Sequence, residues 1–236
     1  MIMLATLMVA ALSASAQFQP GTFSIQPKIG FGVSTISNAE DIDVDLGNHT
    51  YGIEKVPNVG IHVGVEFEYQ AKKWLGIAAG LNYTRQGSAW ENYKVKLDGV
   101  KLQSFNNNLD LGYINLPIVA NFYVVKGLAL KTGVQFGFLT DAHIRNSVRA
   151  EMKDGDTKVV NLTEHSTSIH KDCEKFDLAI PVGISYEFKH HFVIDARYYF
   201  GLLKVNKLEE IGEDNSFNRS FQLSFGYKYG LGKNAK

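Results

Sequence analysis

Cysteine is nearly absent from this chain: Cys173 is the single thiol among 236 residues. One thiol excludes an intramolecular disulfide, so an exported form would not rely on covalent staples. No helix start or cationic pocket is evident around Cys173, which argues against a nucleophilic role. Excess charge of either sign is also missing, with Lys and Arg totalling 24 and Asp and Glu totalling 24. Such a balance exerts no net pull on nucleic acid. Past the N-terminus there is no run of 18 apolar residues, so a membrane-crossing helix is not expected. That lack says nothing about strands, because a barrel strand is only half apolar. Zinc-type spacing is missing too: His143, His165 and His170 fall in one long connection at intervals that match no zinc motif. No cofactor motif is present.

What is present begins with Met1–Ala16, MIMLATLMVAALSASA, an apolar core followed by small residues at Ala14 and Ala16. This pattern reads as a secretory signal cleaved before Gln17, although it has no Lys or Arg ahead of its core. No Cys stands at that site, so lipoprotein processing is not expected. The expected division is residues 1–16 as signal peptide and 17–236 as one mature domain.

The mature chain alternates. In its last stretch, RSFQLSFGYKYGLG, Phe221, Leu223, Phe225, Tyr227, Tyr229 and Leu231 occupy every second position. A strand has a side-chain period of two, so these residues share one face while Gln222, Ser224, Gly226, Lys228 and Gly230 share the other. The same pattern recurs over Phe23–Ser34, Asn58–Tyr69, Trp74–Arg85, Leu109–Val125, Leu128–Thr140, Phe176–Phe188 and Phe192–Leu203, which predicts eight strands. A phase shift at Tyr113-Ile114 predicts a bulge.

Connection lengths alternate as well. Tight turns are expected at Ala71-Lys72-Lys73, Lys126-Gly127 and Lys189-His190-His191, and long loops at 35–57, 87–108, 141–175 and 204–218. Short turns at one end, long loops at the other and an even strand count form the bacterial outer-membrane pattern. Strands of about 12 residues at roughly 3.3 Å each, tilted by about 40°, project onto about 30 Å, enough to span that membrane. The fold class predicted is therefore all-β, an eight-stranded antiparallel up-and-down transmembrane barrel. A lipocalin-like soluble barrel, with its apolar row inside, is the alternative.

The polar rows carry Lys28, Glu66, Glu68, Lys131, Asp177, Glu187, Asp195, Arg197 and Lys228 among many Gly and Ser. An eight-stranded barrel is just wide enough to be filled by side chains. These nine residues are expected to form a paired charge network inside it, since an unpaired buried charge is costly.

At Tyr113–Leu139, YINLPIVANFYVVKGLALKTGVQFGFL, the Tyr-x-x-Leu-Pro opening, the Lys-Gly turn and the Gly-x-Gln-x-Gly-Phe-Leu return strand resemble the outer-membrane β-barrels widespread in Bacteroidota, the porin-family or PorT-like proteins. Pro181–Phe188 and Ala196–Leu202 add to that resemblance. It implies a barrel in the cell outer membrane, in contact with outer-membrane lipid. The member that names the family is implicated in type IX secretion, which makes an accessory secretion role one implied function.

The connections hold weaker signals. Glu40–Gly47, EDIDVDLG, places Asp41, Asp43 and Asp45 at alternate positions, as Ca²⁺ ligands can be, yet it lacks the EF-hand glycine and the twelfth-position glutamate. A solvated acidic loop is the plainer reading. His165, Ser166 and Asp172 carry no family motif for hydrolysis, so no catalytic residue is assigned. The expected function is a structural, binding or partner-docking barrel acting through its long outer loops. Alternatives are a secretion accessory, a narrow pore and a hydrolase.

Overall fold

The computed structural model describes residues 18–37, 41–45, 50–97, 100–154, 157–205 and 216–231. The expected signal peptide and its cleavage site, residues 206–215 and the last five residues lie outside them.

The strands are β1 (Phe23–Ile36), β2 (Ile42–Asp45), β3 (Thr50–Ile53), β4 (Lys55–Lys72), β5 (Leu75–Trp90), β6 (Tyr93–Leu97), β7 (Val100–Val125), β8 (Leu128–Asp154), β9 (Thr157–Ser168), β10 (Phe176–Glu187), β11 (Phe192–Lys204), β12 (Phe217–Tyr227) and β13 (Tyr229–Leu231). Eight of them, β1, β4, β5, β7, β8, β10, β11 and β12, form an antiparallel ring in chain order, closed where β12 pairs with β1. Ring closure gives every spanning strand two neighbours, so no backbone edge faces the surroundings.

Period-two alternation sets the two faces. On β1, Ser24, Gln26, Lys28 and Ser34 point inward and are buried, while Phe23, Ile29, Phe31 and Val33 point outward. Exposure of the outward row is high, with Ile29 65%, Ile61 65% and Val59 68% exposed. By contrast, Arg197, Glu187 and Asp195 are among the most deeply buried side chains. This inversion of the usual globular arrangement excludes the lipocalin-like alternative and matches a barrel whose outer solvent is hydrocarbon.

Aromatic pairs lie at both ends of the apolar band. At the turn end, Phe23 meets Tyr69 with ring centroids 4.7 Å apart, and Phe192 meets Tyr227 at 5.1 Å. Toward the opposite end, Phe138 meets Phe176 at 5.6 Å and Tyr198 meets Phe200 at 4.5 Å. These are the places where interfacial girdles sit.

Two of the three tight turns fall where expected, and the first lies at Lys73-Trp74, because Ala71 and Lys72 still belong to β4. Gly127 takes φ 78, and His190 and His191 take φ 68 and 63 in the 3₁₀ turn Lys189–His191. The bulge is also present: Gly112 pairs with Asp141 and Tyr113 with Leu139, leaving Thr140 as the extra residue.

The long connections differ from expectation. Residues 87–108 and 141–175 are not loops but mostly strand. β7 and β8 continue past the ring, and β6 and β9 flank them to give a four-stranded antiparallel extension in the order β6-β7-β8-β9. β2 and β3 form a separate hairpin. The alternation signal depends on one apolar face, and the extension carries polar residues such as Lys94, Lys101, Arg149 and Glu164 in exposed positions. Its strands therefore resembled loop sequence.

A charge placed on the outward row at mid-height tests the lipid-facing assignment. Ile29 opposes Val63 and Phe225 near the centre of the band. Ile29→Arg is expected to cost about 2–4 kcal/mol in guanidinium unfolding measured in lipid bilayers. An unchanged midpoint would contradict a lipid-facing position.

Candidate functional site

The lumen is filled in layers. Nearest the turns, Lys228 Nζ lies 2.9 Å from Glu68 and 3.2 Å from Glu187, and donates to the Tyr123 hydroxyl at 3.0 Å. Tyr123 in turn donates to Glu68 at 2.6 Å, and His191 Nδ1 lies 2.8 Å from Glu187. Three strands, β4, β7 and β10, are thus tied to the β12–β13 junction and to the Lys189–His191 turn through one ammonium group and its acceptors.

The next layer centres on Arg197. Its guanidinium grips Glu66 through two hydrogen bonds of 2.6 and 2.8 Å and meets Asp195 at 2.7 Å. Lys28 pairs with Glu66 at 2.5 Å and Lys131 with Asp195 at 2.6 Å. Bidentate Arg–carboxylate pairing fixes orientation as well as distance. Three cations against two carboxylates leave this layer at +1, while Lys228 against Glu68 and Glu187 leaves the layer below at −1. The two layers offset each other.

Glycine makes room for these side chains. A Cβ on Gly76 would collide with Glu68 Oε1, and one on Gly80 would meet Glu66 Cγ at 2.8 Å. The glycine-rich inner row therefore gives space for long acids and bases, not flexibility.

Asp177 stands apart from both layers. Its carboxylate accepts from Asn218 at 2.8 Å, and Asn218 also donates to the Tyr113 hydroxyl at 3.3 Å. Beside Tyr113 an apolar cluster of Ile36, Leu111, Tyr113, Leu139, Ala142, Cys173 and Val205 is buried. The segment between β9 and β10 is drawn in by hydrogen bonds from Ile169 N to Ala142 O, Glu174 N to Val205 O and Leu139 N to Lys175 O. The lone cysteine is thus a buried part of the cap.

The remaining sequence candidates do not converge. Asp41 accepts from the Lys55 backbone N–H at 2.8 Å, and the side chains of Asp43 and Asp45 lie outside the described residues. Among the described residues no group of three or more His, Cys, Asp or Glu side chains is arranged to hold a metal ion. His165 and Ser166 are neighbours on β9, so they point to opposite faces and cannot act as a pair. Tyr123, His191 and the Cys173 cap were missed by sequence reasoning. Tyr123 did leave a signal, a phenol on an otherwise polar row.

Chemically this interior can brace the barrel and block passage. The eight charged side chains of the two layers are all engaged with one another.

A family model described as an outer membrane protein beta-barrel domain matches residues 15–206. Among solved structures, the chain is similar to Ail, the attachment invasion locus protein of Yersinia pestis, at 15% identity and TM-score 0.40, covering 89% of this chain and 100% of that one. Neisserial surface protein A is 17% identical at TM-score 0.40, with 87% and 95% covered. OprG of Pseudomonas aeruginosa is 12% identical at TM-score 0.40, with 91% and 99% covered. No curated protein matches the chain. With most of its length matched by the family model, the chain belongs to the outer-membrane β-barrel domain family and is an outer-membrane protein.

Removing the central cation tests the bracing role. Arg197→Leu leaves Glu66 and Asp195 with only Lys28 and Lys131 as ion partners. The expected cost is about 3–5 kcal/mol, as for other broken buried pairs. It would appear as a lower guanidinium midpoint in detergent micelles, with Arg197→Lys falling between the two. A midpoint equal to wild type would remove Arg197 from the account.

Proposed function

We propose that this outer-membrane barrel, exported by cleavage after Ala16, is a closed anchor whose long strands carry a docking surface beyond the membrane. Short turns face the periplasm and long connections the outside in barrels of this kind. On that orientation the β6-β7-β8-β9 extension stands at the cell surface. The observation that carries the reading is the unbroken run of β7 and β8, 26 and 27 residues long, from the ring into the extension. At roughly 3.3 Å per residue they are about twice as long as a tilted spanning strand requires. A rigid platform continuous with the barrel suits partner contact better than a flexible loop does. The nine charged and acidic lumen residues serve as internal bracing in this reading, and the Asp41 region as a solvated acidic segment.

The narrow-pore alternative is disfavoured by the two ion layers and the Cys173 cap. Kinship with PorT-like barrels of Bacteroidota, and through it a role beside a type IX secretion-like complex, is a second reading. It rests on the Tyr113–Leu139 motif.

Two measurements separate these readings. Purified protein in planar bilayers is expected to give no steady conductance steps, and their appearance would favour a channel. Replacing residues 92–106 and 144–168 with short turns should leave a barrel whose gel mobility changes on boiling, yet abolish co-purification of any surface partner. Retention of a stoichiometric partner by the shortened barrel would place docking elsewhere and favour a periplasmic, secretion-side contact.

A further inference from the structure

Charge at the turn end of the barrel is sorted by face. Lys72, Lys73, Lys126 and Lys189 are exposed there, whereas the acids Glu68 and Glu187 are buried in the lumen against Lys228. Between two of the turns lies a cavity of about 420 Å³, lined by Lys73, Trp74, Val125, Lys126 and the incoming residues Phe18 and Pro20. We infer that this cavity seats the head group of an anionic glycerophospholipid, whose acyl chains lie along the adjoining outer row of the barrel. On the orientation in which the turns face the periplasm, that lipid belongs to the inner leaflet.

Position selects a lipid. Trp74 and Val125 line the cavity and are also 51% and 45% exposed at the end of the lipid-facing rows, next to the exposed Phe122 and Val124. The site is therefore continuous with the surface that meets hydrocarbon, and its cations fall where head groups lie. Trp74 stacks beside Phe122 with ring centroids 6.4 Å apart, and the Lys72 ammonium sits 5.6 Å from the Trp74 centroid. Those contacts hold the indole at the boundary between charged turn and apolar band.

Charge selects the head group. The ammonium groups of Lys73 and Lys126 border one cavity, and a phosphodiester offers them acceptor oxygens. A zwitterionic head group would bring a cation of its own toward both lysines. One that joins the phosphate to an uncharged alcohol, as in phosphatidylglycerol, brings none. Basic pockets at membrane surfaces bind anionic head groups for this reason.

The walls are preformed. Gly21, at φ 86, turns the incoming segment so that its N–H donates to Gln70 O at 2.7 Å, and Gln70 N–H donates to Thr22 O at 2.9 Å. Phe18 is fixed by its stack on His191 at 4.3 Å. Tyr123 N–H donates to Trp74 O at 2.8 Å, which joins the strand entering the Lys126 turn to the turn that carries Lys73.

Trp74 and Trp90 are the chain's two tryptophans, so Trp90→Phe leaves Trp74 as the sole reporter. That protein is refolded into phosphatidylcholine vesicles and verified by its mobility shift on boiling. The vesicles contain, at equal mole fraction, either phosphatidylglycerol or phosphatidylcholine brominated on one acyl chain. Bromine quenches tryptophan on contact, so the ratio of quenching reports which lipid sits beside Trp74. Phosphatidylglycerol is expected to be favoured about fivefold or more, with the preference falling as ionic strength rises from about 0.01 M to about 1 M. Lys73→Gln combined with Lys126→Gln should bring the two lipids to parity. Lys171→Gln, in the exposed segment between β9 and β10, should leave the ratio unchanged. Equal quenching by the two lipids in a folded barrel, a preference that survives the double substitution, or one lost equally on Lys171→Gln would overturn the inference. Both leaflets of these vesicles hold the same lipid, so the result does not depend on orientation, and failure here would leave the surface-docking reading standing.

Discussion

A charge that faces hydrocarbon at the middle of a bilayer costs about 2–4 kcal/mol, and a backbone group left unpaired there costs several more. These two penalties govern the molecule. The backbone is satisfied by closing β12 on β1, and charge is kept off the outer row along each ring strand. The rest follows from period-two geometry: once Phe221, Leu223 and Phe225 face lipid, Gln222, Ser224 and Lys228 must share the interior. An interior only a few side chains wide then forces acids and bases together, and Arg197 is where they meet. Buried ions seldom add stability over a hydrophobic core. A lumen lined by the polar faces of amphipathic strands offers no such core, so pairing is the way to fill it.

Closure at the two ends is achieved differently. Below, the Lys228–Glu68–Tyr123 cluster and the His191–Glu187 pair bind the turns together, with Phe18 stacked on His191 at 4.3 Å. Above, an apolar cluster that includes Cys173 packs Ile36, Leu139 and Val205 together at the end of the ring.

How much of this was legible in the sequence depends on what each signal reports. Alternation over Phe23–Ser34 or Phe176–Phe188 reports a polar and an apolar side, and it located all eight ring strands; the phase shift at Tyr113 marked the register shift, but its extra residue, Thr140, lies on the partner strand β8. Which acid would meet which base was not legible, because Glu66 and Arg197 are 131 residues apart and come together only through barrel curvature. The extension was illegible for a different reason. Both of its faces carry polar side chains, so Gln103, Arg149 and Asn161 show no period although they lie in paired strands. The cap escaped notice because residues 169–175 are irregular, and their burial depends on the mouth they fill.

The account is tested most directly by comparing two kinds of exposed apolar position. With Cys173 replaced by Ser, nitroxide labels placed singly at Phe221, Leu223, Phe225 and Leu162 in reconstituted bilayers can be probed with oxygen, which partitions into lipid, and with a water-soluble nickel complex. Phe221, Leu223 and Phe225 should favour oxygen, and Leu162, on β9 of the extension, should favour nickel. Preferential access of the nickel complex to Leu223 would contradict a lipid-facing row.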